Sequence, residues 1–437
     1  MSPRGIFRFW VPLAATWLMM AAEGPFLAAV IARLTDPTIG LAAYGVALAL
    51  AILVEAPVLM LMSAATALVE NADGYRRLRN FANVLNAFAT GSLLFFVIPQ
   101  VHDAVFLQLL ALPQDVADQA YGAMWFFLPW PAAIGVRRFL QGIMIGAGRT
   151  RLVAYGTVIR LASMVTAAMV FGPVLGLPGA WVGGAALSTG VVIEAIAARL
   201  MARESIRDVM AVEGGEGETL GYREIIAFYY PLLLTSILGL AVAPMVTFFM
   251  GRSVAPVESL AVFPVVYSLL FVFRALGLSF QDASIALLGR NREGFAELSR
   301  FAWQMGLTIT AILVAIAFTP LADVWFRTVS GLSEELTSYA LLPIKIVVLL
   351  PLAGVWLSLE RAVLMRNRRT RSITFATAAE VVAIAGLFIW LGWGIGLVGV
   401  TAAFIALTVG KLVSTTYLIP YTKRALRDGP PADGGYE

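Results

Sequence analysis

The sequence predicts an all-α polytopic membrane protein. Twelve transmembrane helices would form two six-helix lobes, related by a pseudo-twofold axis, around a central cleft. The first supporting observation is composition: 60% of the 437 residues are hydrophobic and 13% are charged, whereas soluble domains carry about 25% charged residues. The mean hydropathy is +0.84. This composition excludes a soluble enzyme, a disordered chain and a nucleic-acid-binding module.

The second observation is the number of long apolar runs. A bilayer core needs about 20 apolar residues per helix. Runs that meet this requirement lie near 7–34, 39–69, 80–101, 121–147, 152–174, 177–201, 225–250, 258–288, 301–322, 339–365, 372–393 and 395–419. The first run follows Arg4 and Arg8 and is too long for the core of a signal peptide, so we interpret it as the first membrane helix.

Polar segments divide these runs into two equal sets. We predict an N-terminal six-helix lobe over 1–201, a flexible cytoplasmic linker over 202–224, a C-terminal six-helix lobe over 225–419 and a disordered cytoplasmic tail over 420–437. Cytoplasmic loops are enriched in Lys and Arg. With the N-terminus inside, the inner segments hold 21 such residues and the outer loops hold only Arg33, Arg252 and Arg327. We therefore expect both termini in the cytoplasm.

The third observation is an internal repeat. At an offset of 219 residues, Pro12, Pro25 and Pro37 align with prolines, and Arg33 aligns with Arg252. At an offset of 220, Arg149-Thr-Arg151 aligns with Arg369-Thr-Arg371. Because each half holds six spans, the repeats share one orientation and are expected to be related by an axis along the membrane normal, with the functional site at their interface.

Two repeat-equivalent pairs carry opposite charge. Glu55 aligns with Arg274, and Arg160 aligns with Glu380. A pseudo-twofold axis places equivalent positions across from each other, so we predict that these pairs meet across the cleft in one conformational state. The alternative is that each charge pairs with a neighbour inside its own lobe.

Charged residues inside the spans are the main functional signal. A charge at the bilayer centre costs roughly 3 kcal/mol, so thirteen in lipid would cost on the order of 40 kcal/mol. The thirteen are Arg137, Arg138, Arg160, Arg274, Lys345, Arg361, Lys411, Glu23, Glu55, Glu194, Asp282, Glu360 and Glu380. These side chains must therefore line an aqueous cavity, pair with each other or reach the interface from span ends.

Two local patterns refine this set. Glu23 precedes Gly24-Pro25, and Pro25 removes a backbone hydrogen bond and kinks the helix. This carboxylate is either a proton or sodium coupler or a structural group beside the kink. Arg137 and Gln141 are one helical turn apart, whereas adjacent Arg137 and Arg138 cannot face the same way.

Other chemistries lack the residues they need. The chain has no cysteine and one histidine, His102, which excludes thiol catalysis and a histidine-based metal cluster. The Gly394-x-Gly396-x-x-Gly399 pattern follows no strand, so it fails as a dinucleotide fingerprint. Gly142-x-x-x-Gly146 predicts close helix packing. We expect neither an enzyme nor a cofactor or metal site.

Short motifs spread along the chain resemble the multidrug/oligosaccharidyl-lipid/polysaccharide (MOP) flippase superfamily, which includes the multidrug and toxic compound extrusion (MATE) transporters. Within it, the sequence looks most similar to the progressive ankylosis family. The residues that carry the resemblance are Phe9-Trp-Val-Pro12-Leu13, Glu23, Ala43-Tyr44-Gly45 and Phe228-Tyr-Tyr-Pro231-Leu232.

The resemblance implies a V-shaped central cleft and alternating access. Glu23 looks like the first-span acid that couples MATE transport to protons or sodium, although that residue is commonly Asp and lacks the following Gly-Pro. The progressive ankylosis family is associated with export of anionic metabolites. The leading hypothesis is thus a monomeric secondary transporter of the inner membrane that exports a small organic anion.

Each candidate residue has an assigned role in this hypothesis. Arg274, Arg160 and Arg137, with Gln141, would bind the anion; Glu55 and Glu380 would pair with the arginines when the site is empty; Glu23 would couple or gate. One alternative is a MATE-like exporter of cationic drugs, whose substrate would contact Glu23, Glu55 and Glu380. Another is a lipid-linked oligosaccharide flippase.

Overall fold

The computed structural model describes residues 3–212, 220–288, 294–367, 369 and 371–428, and this part of the chain is built almost wholly of helices. The α-helices are α1 Pro3–Ala21, α2 Glu23–Ile31, α3 Pro37–Val54, α4 Ala56–Leu59, α5 Leu61–Leu68, α6 Ala72–Phe96, α7 Pro99–His102, α8 Gln114–Phe127, α9 Trp130–Gly146, α10 Thr150–Met169, α11 Gly179–Met201, α12 Arg203–Met210, α13 Tyr222–Leu240, α14 Val242–Met250, α15 Pro256–Leu287, α16 Phe295–Phe318, α17 Leu321–Asp323, α18 Glu334–Ile346, α19 Leu350–Arg366, α20 Arg371–Phe388 and α21 Gly399–Asp428.

The structure confirms a multi-pass helical membrane protein but not the count of twelve spans. Within the described residues, ten helices are long and apolar enough to cross a membrane, or eleven if α6 and the helix after it, bent by 75°, count as one. The predicted run 121–147 is not among them. It is divided between α8 and α9, and α9 carries both Arg137 and Arg138.

The predicted span 39–69 is also broken, into α3, α4 and α5, with turns at Glu55 and Met60. Pro57 explains the first break, because proline has no N–H and its ring clashes with the carbonyl four residues earlier. The Tyr229 hydroxyl of α13 donates to the carbonyl of Pro57. The backbone of a broken span is satisfied here by a side chain from another helix, as membrane helices require.

The internal repeat is visible in the irregular parts of the backbone. The first span breaks at Ala22 and the seventh breaks at Ala241, which are repeat-equivalent positions. Asp36 and Ala255 both adopt a left-handed conformation, with φ of 50° and 53°. π-helical turns over Asp103–Leu109 and Val170–Val174 have counterparts over Val324–Val329 and Ile389–Gly394. The repeat therefore extends from sequence to local structure.

Two compact units form, and they do not follow the order of the sequence. Unit 1 comprises Met1–Ala32 and Phe249–Glu437, and unit 2 comprises Arg33–Phe248. Relative to the predicted lobes over 1–201 and 225–419, the first span belongs with the second half and the seventh span with the first half. In unit 1, the Trp10 indole donates to Ser279 Oγ over 2.8 Å and the Trp17 indole donates to Asp282 Oδ2 over 3.1 Å. These contacts fix α1 on α15.

Helix extends into segments that the sequence assigned to a flexible linker and a disordered tail. Within the linker 202–224, α12 is helical and α13 begins at Tyr222. The last helix continues through Asp428, nine residues into the predicted tail 420–437. The acidic stretch 213–218 of the linker, residues 429–437 of the tail, and Arg290, Arg292 and Arg368 lie outside the described residues.

Gly142 lets α9 pack closely on α5. A Cβ atom at this position would lie 2.5 Å from the carbonyl oxygen of Met62 and 2.6 Å from Cβ of Ala65. Thr66 of α5 donates to the carbonyl of Gly142 over 3.3 Å. The other glycine of the pair, Gly146, would meet nothing within 4 Å, so close packing is confirmed at Gly142 alone.

Gly142→Ala is therefore expected to lower the free energy of unfolding by about 1–3 kcal/mol, the usual cost of overpacking. The matched control is Gly146→Ala on the same helix, which has room for the methyl group and is expected to leave stability unchanged or slightly raised. Thermal unfolding of the detergent-purified variants measures both effects. Equal losses in the two variants would contradict this packing account.

Candidate functional site

Four buried side chains of unit 2 form a cluster around Glu194, called here the Glu194 cluster: Arg137 and Gln141 of α9, Arg160 of α10 and Glu194 of α11. The Arg137 Nη1 atom donates to Glu194 Oε2 over 2.9 Å, and Gln141 Nε2 donates to Glu194 Oε1 over 3.2 Å. Arg160 Nε lies 3.7 Å from Glu194 Oε2. The Glu194 residue is fully buried. One carboxylate thus holds two buried guanidinium groups and an amide.

Local sequence explains why these helices can bring charges together. Arg137 and Gln141 are four residues apart, which places them on one face of α9. A Cβ atom at Gly190 of α11 would lie 3.1 Å from the carbonyl oxygen of Arg160, and one at Gly156 of α10 would lie 3.3 Å from Glu194 Oε1. Glycine at both positions lets α10 and α11 approach closely enough for the ion pair.

Glu55 occupies the break between α3 and α4 and has a different partner. Its Oε2 atom accepts a hydrogen bond from Trp130 Nε1 over 2.6 Å. Trp130 is the first residue of α9, so this bond ties the broken span to the helix that carries Arg137. Arg138 is half-buried whereas Arg137 is 4% exposed, in line with the prediction that the two adjacent arginines face different ways.

Unit 1 holds its own charge cluster on α19, α20 and α21. Lys411 contacts Glu380 through an ion pair between Nζ and Oε1. Arg361 interacts electrostatically with Glu380 and donates from Nη2 to Thr377 Oγ1 over 3.4 Å. As in unit 2, one carboxylate stands among cations from neighbouring helices.

The two clusters lie on repeat-equivalent helices, but equivalent positions carry different charges in the two units. Arg160 corresponds to Glu380, and Gln141 corresponds to Arg361, at the offset of 220. The carboxylate of unit 2 comes from α11, whereas that of unit 1 comes from α20, the repeat equivalent of α10. The arrangement of one acid among cations is therefore common to both units, although the residues that build it are not equivalent.

Arg274 is the exposed member of the predicted set. Its Nη1 atom donates to the Tyr267 hydroxyl over 3.1 Å, two turns earlier on α15. A guanidinium at the depth of a span is costly in lipid, so this face of α15 must meet water or a polar partner.

Glu23 is the first residue of α2, directly after the break at Ala22, and it is half-buried. The kink expected from Pro25 is thus present as a helix break. A Cβ atom at the neighbouring Gly24 would lie 2.9 Å from Cβ of Ser268, so glycine allows α2 to approach α15. The structure leaves the coupling role of Glu23 a prediction.

The structure brings Arg137, Gln141 and Arg160 together, with Glu55 in electrostatic interaction with both arginines. In unit 1, Arg274 interacts electrostatically with Arg361 and Lys411, the cations around Glu380. Glu23 lies at another position of unit 1. The contacts of Arg160 with Glu194 and of Glu380 with Lys411 are the within-lobe pairing that the sequence left open. Pairing of Glu55 with Arg274 and of Arg160 with Glu380 in another conformational state stays a prediction.

Sequence reasoning did not include Glu194 and Lys411 among the site residues. Both stood among the charges inside the spans, which was the signal available. The direction in which each side chain points depends on helix rotation, and packing sets that rotation. Among the residues that the structure describes, no group of three His, Cys, Asp or Glu side chains could hold a metal ion.

Solved transporter structures match almost the whole chain. An inward-facing multidrug resistance MATE family transporter of the MOP superfamily superposes with a TM-score of 0.76 at 12% identity, over 94% of each chain. The lipid II flippase MurJ in an inward closed conformation superposes with a TM-score of 0.70 at 13% identity, over 94% of this chain and 87% of that one. The chain has a MATE-like fold.

A third solved structure with this fold shows how its sites vary. It is a MOP superfamily transporter from Pyrococcus furiosus whose reversed pocket polarity was taken to suggest a different function. It superposes with a TM-score of 0.64 at 16% identity, over 98% of this chain and 97% of that one. No family model and no curated protein matches the sequence. The fold expected from the superfamily resemblance is confirmed, and the progressive ankylosis branch stays a prediction.

The geometry predicts unequal roles for two acids of unit 2. Glu194→Gln leaves Arg137 and Arg160 buried without the carboxylate that they contact, and breaking a buried pair in this way costs about 3–5 kcal/mol. Glu55→Gln keeps an oxygen that accepts from the Trp130 indole, and the expected loss is about 1 kcal/mol.

Thermal or denaturant unfolding of the purified variants measures the difference in stability. Glu55→Gln is the matched control, because it removes one carboxylate charge from the same unit. If both variants lost the same stability, Glu194 would not be the group that holds the two arginines.

Proposed function

We propose that the protein is a secondary active transporter that works by alternating access and exports a small organic anion, a carboxylate or phosphate metabolite. The observation that supports this proposal best is the Glu194 cluster, where two buried arginines share one carboxylate. An anion can take the place of this carboxylate on one of the two guanidinium groups.

The charge balance of unit 2 favours an anion over a cation. Its described charges at membrane depth are three arginines, Arg137, Arg138 and Arg160, against two acids, Glu55 and Glu194. Guanidinium groups bind carboxylate and phosphate oxygens through two parallel hydrogen bonds. In the empty state, Glu194 compensates Arg137 and Arg160; when the anion enters, one guanidinium exchanges this carboxylate for the substrate.

Unit 1 contributes exposed positive charge to the same proposal. Arg274 lies on a face of α15 that must meet water or a polar partner, and its Tyr267 hydrogen bond orients the guanidinium. Glu380 compensates Lys411 and Arg361 when no substrate is bound. Glu23, placed at a helix break, couples transport to protons or sodium in this proposal.

The Lys and Arg bias of the loops supports an orientation for the transporter. We propose a monomer in the inner membrane with both termini in the cytoplasm. Export across this membrane requires that the Glu194 cluster become accessible from each side in turn.

Two other functions have specific support from the fold. Similarity to a multidrug resistance MATE transporter favours antiport of cationic drugs, for which Glu23, Glu55 and Glu380 would contact the substrate. Similarity to the lipid II flippase MurJ favours movement of a lipid-linked oligosaccharide. The cation surplus of unit 2 argues against the first of these and is compatible with the second.

Efflux from proteoliposomes loaded with citrate, ATP, pyrophosphate or a cationic dye tests the proposal, with and without a proton gradient. We expect anion efflux that falls about 10- to 100-fold in Arg274→Gln, since a hydrogen bond to a charged group contributes about 1.5–3 kcal/mol. The matched control is Tyr267→Phe, which removes the partner of Arg274 and keeps its charge, and we expect most of the efflux to remain.

Two outcomes would contradict anion export. Movement of the dye alone, driven by the gradient and lost in Glu23→Gln, would assign drug antiport. Failure of all four compounds to move, with correctly folded protein in the vesicles, would favour the flippase.

A further inference from the structure

Three exposed arginines line up where α11 passes into α12. Arg199 lies in the last turn of α11, and Arg203 and Arg207 belong to α12. The helix is interrupted at Ala202, which keeps right-handed dihedrals of φ −77° and ψ −4°. Its N–H donates to Ala198 O over 2.8 Å, and its carbonyl accepts from Ile206 N over 2.9 Å. The three arginines follow one another at four-residue spacing, one in the last turn of α11 and two on one face of α12, and they are called here the arginine stripe.

The acids of α12 do not neutralise this stripe, because Arg149 holds them. Arg149 Nη2 lies 2.9 Å from Asp208 Oδ2 and 3.5 Å from Glu204 Oε2, and its Nη1 atom donates to Ser205 Oγ over 3.0 Å. These three contacts lie on the side of α12 that faces the turn between α9 and α10. The positive and negative charges of α12 are thus separated onto different faces.

None of the three arginines of the stripe forms an ion pair with a residue that the structure describes. All three are exposed. The stripe therefore presents three guanidinium groups to whatever surrounds the end of α11.

The surroundings are indicated by the apolar face of α11. Ile193, Ile196 and Leu200 are 38%, 58% and 51% exposed, and they form a column that only acyl chains cover favourably in a membrane-spanning helix. Arg199 follows Ile196 by three residues, so the two side chains are neighbours on the surface of α11. The stripe thus continues the lipid-facing side of the helix beyond the apolar region, at the level where phospholipid headgroups lie.

We propose that Arg199, Arg203 and Arg207 form a binding site for the headgroup of an anionic phospholipid, with the acyl chains along Ile193, Ile196 and Leu200. The phosphate accepts hydrogen bonds from guanidinium groups, and clustered arginines beside a membrane helix attract anionic lipids. This assignment does not depend on the proposed transport activity.

Lipid binding to the full-length protein in mild detergent tests the site, with bound lipids counted by native mass spectrometry. The probes are phosphatidylglycerol, phosphatidylcholine and inorganic phosphate. The test variant is Arg199→Gln/Arg203→Gln/Arg207→Gln. Its matched control is Arg223→Gln/Arg300→Gln/Arg366→Gln, which removes the same charge from three exposed but separated positions.

We expect the dissociation constant for phosphatidylglycerol to rise about a hundredfold in the stripe variant, at roughly fivefold per arginine. The control should bind it as the unmodified protein does, and phosphatidylcholine should bind weakly to all three proteins. Equal losses in both triple variants, or no loss in the stripe variant, would overturn the proposal. Displacement of phosphatidylglycerol by an equal concentration of inorganic phosphate would assign the stripe to a free anion instead.

Discussion

The carboxylate of Glu194 joins three helices of unit 2 at the depth of the membrane. Arg137 and Gln141 reach it from α9, and Arg160 reaches it from α10. Burial of an ion in a medium of low dielectric constant costs several kcal/mol unless a partner compensates it. Each of these charges is therefore tolerated only because the others are present, and the packing of α9, α10 and α11 depends on keeping them together.

In the proposed function, the same dependence gives the cluster a role beyond stability. Three arginines, Arg137, Arg138 and Arg160, interact electrostatically with two carboxylates, Glu55 and Glu194. Unit 2 therefore retains one positive charge at the depth of the membrane. An acidic residue lies at a helix break in each unit: Glu55 occupies the break caused by Pro57 in unit 2, and Glu23 follows the break at Ala22 in unit 1. Interrupted spans are where transporters commonly place groups that bind substrates and ions, which links the irregular backbone to the proposed function.

Sequence reasoning predicted the membrane class and the repeat, because apolar length and ungapped prolines depend on local chemistry alone, and the family resemblance implied the superfamily fold. It did not predict the break after Val54 or the division of the run 121–147, because a continuous apolar run does not show where a helix bends. The assignment of α1 to unit 1 depends on contacts such as Trp10 with Ser279, which join residues far apart in sequence. Likewise, Glu194 and Lys411 were visible as charges, but their partners were fixed only by helix packing.

The central claim is that the buried arginines of unit 2, which outnumber its buried acids, bind an anion. Thermal unfolding of the purified protein against increasing citrate, ATP or pyrophosphate tests it most directly, because a ligand that binds only the folded state stabilises it by about 2.7 kcal/mol at a hundred times its dissociation constant. The account predicts a saturable rise in the melting temperature with at least one of these anions and none with a cationic dye. A rise with the dye alone would contradict it.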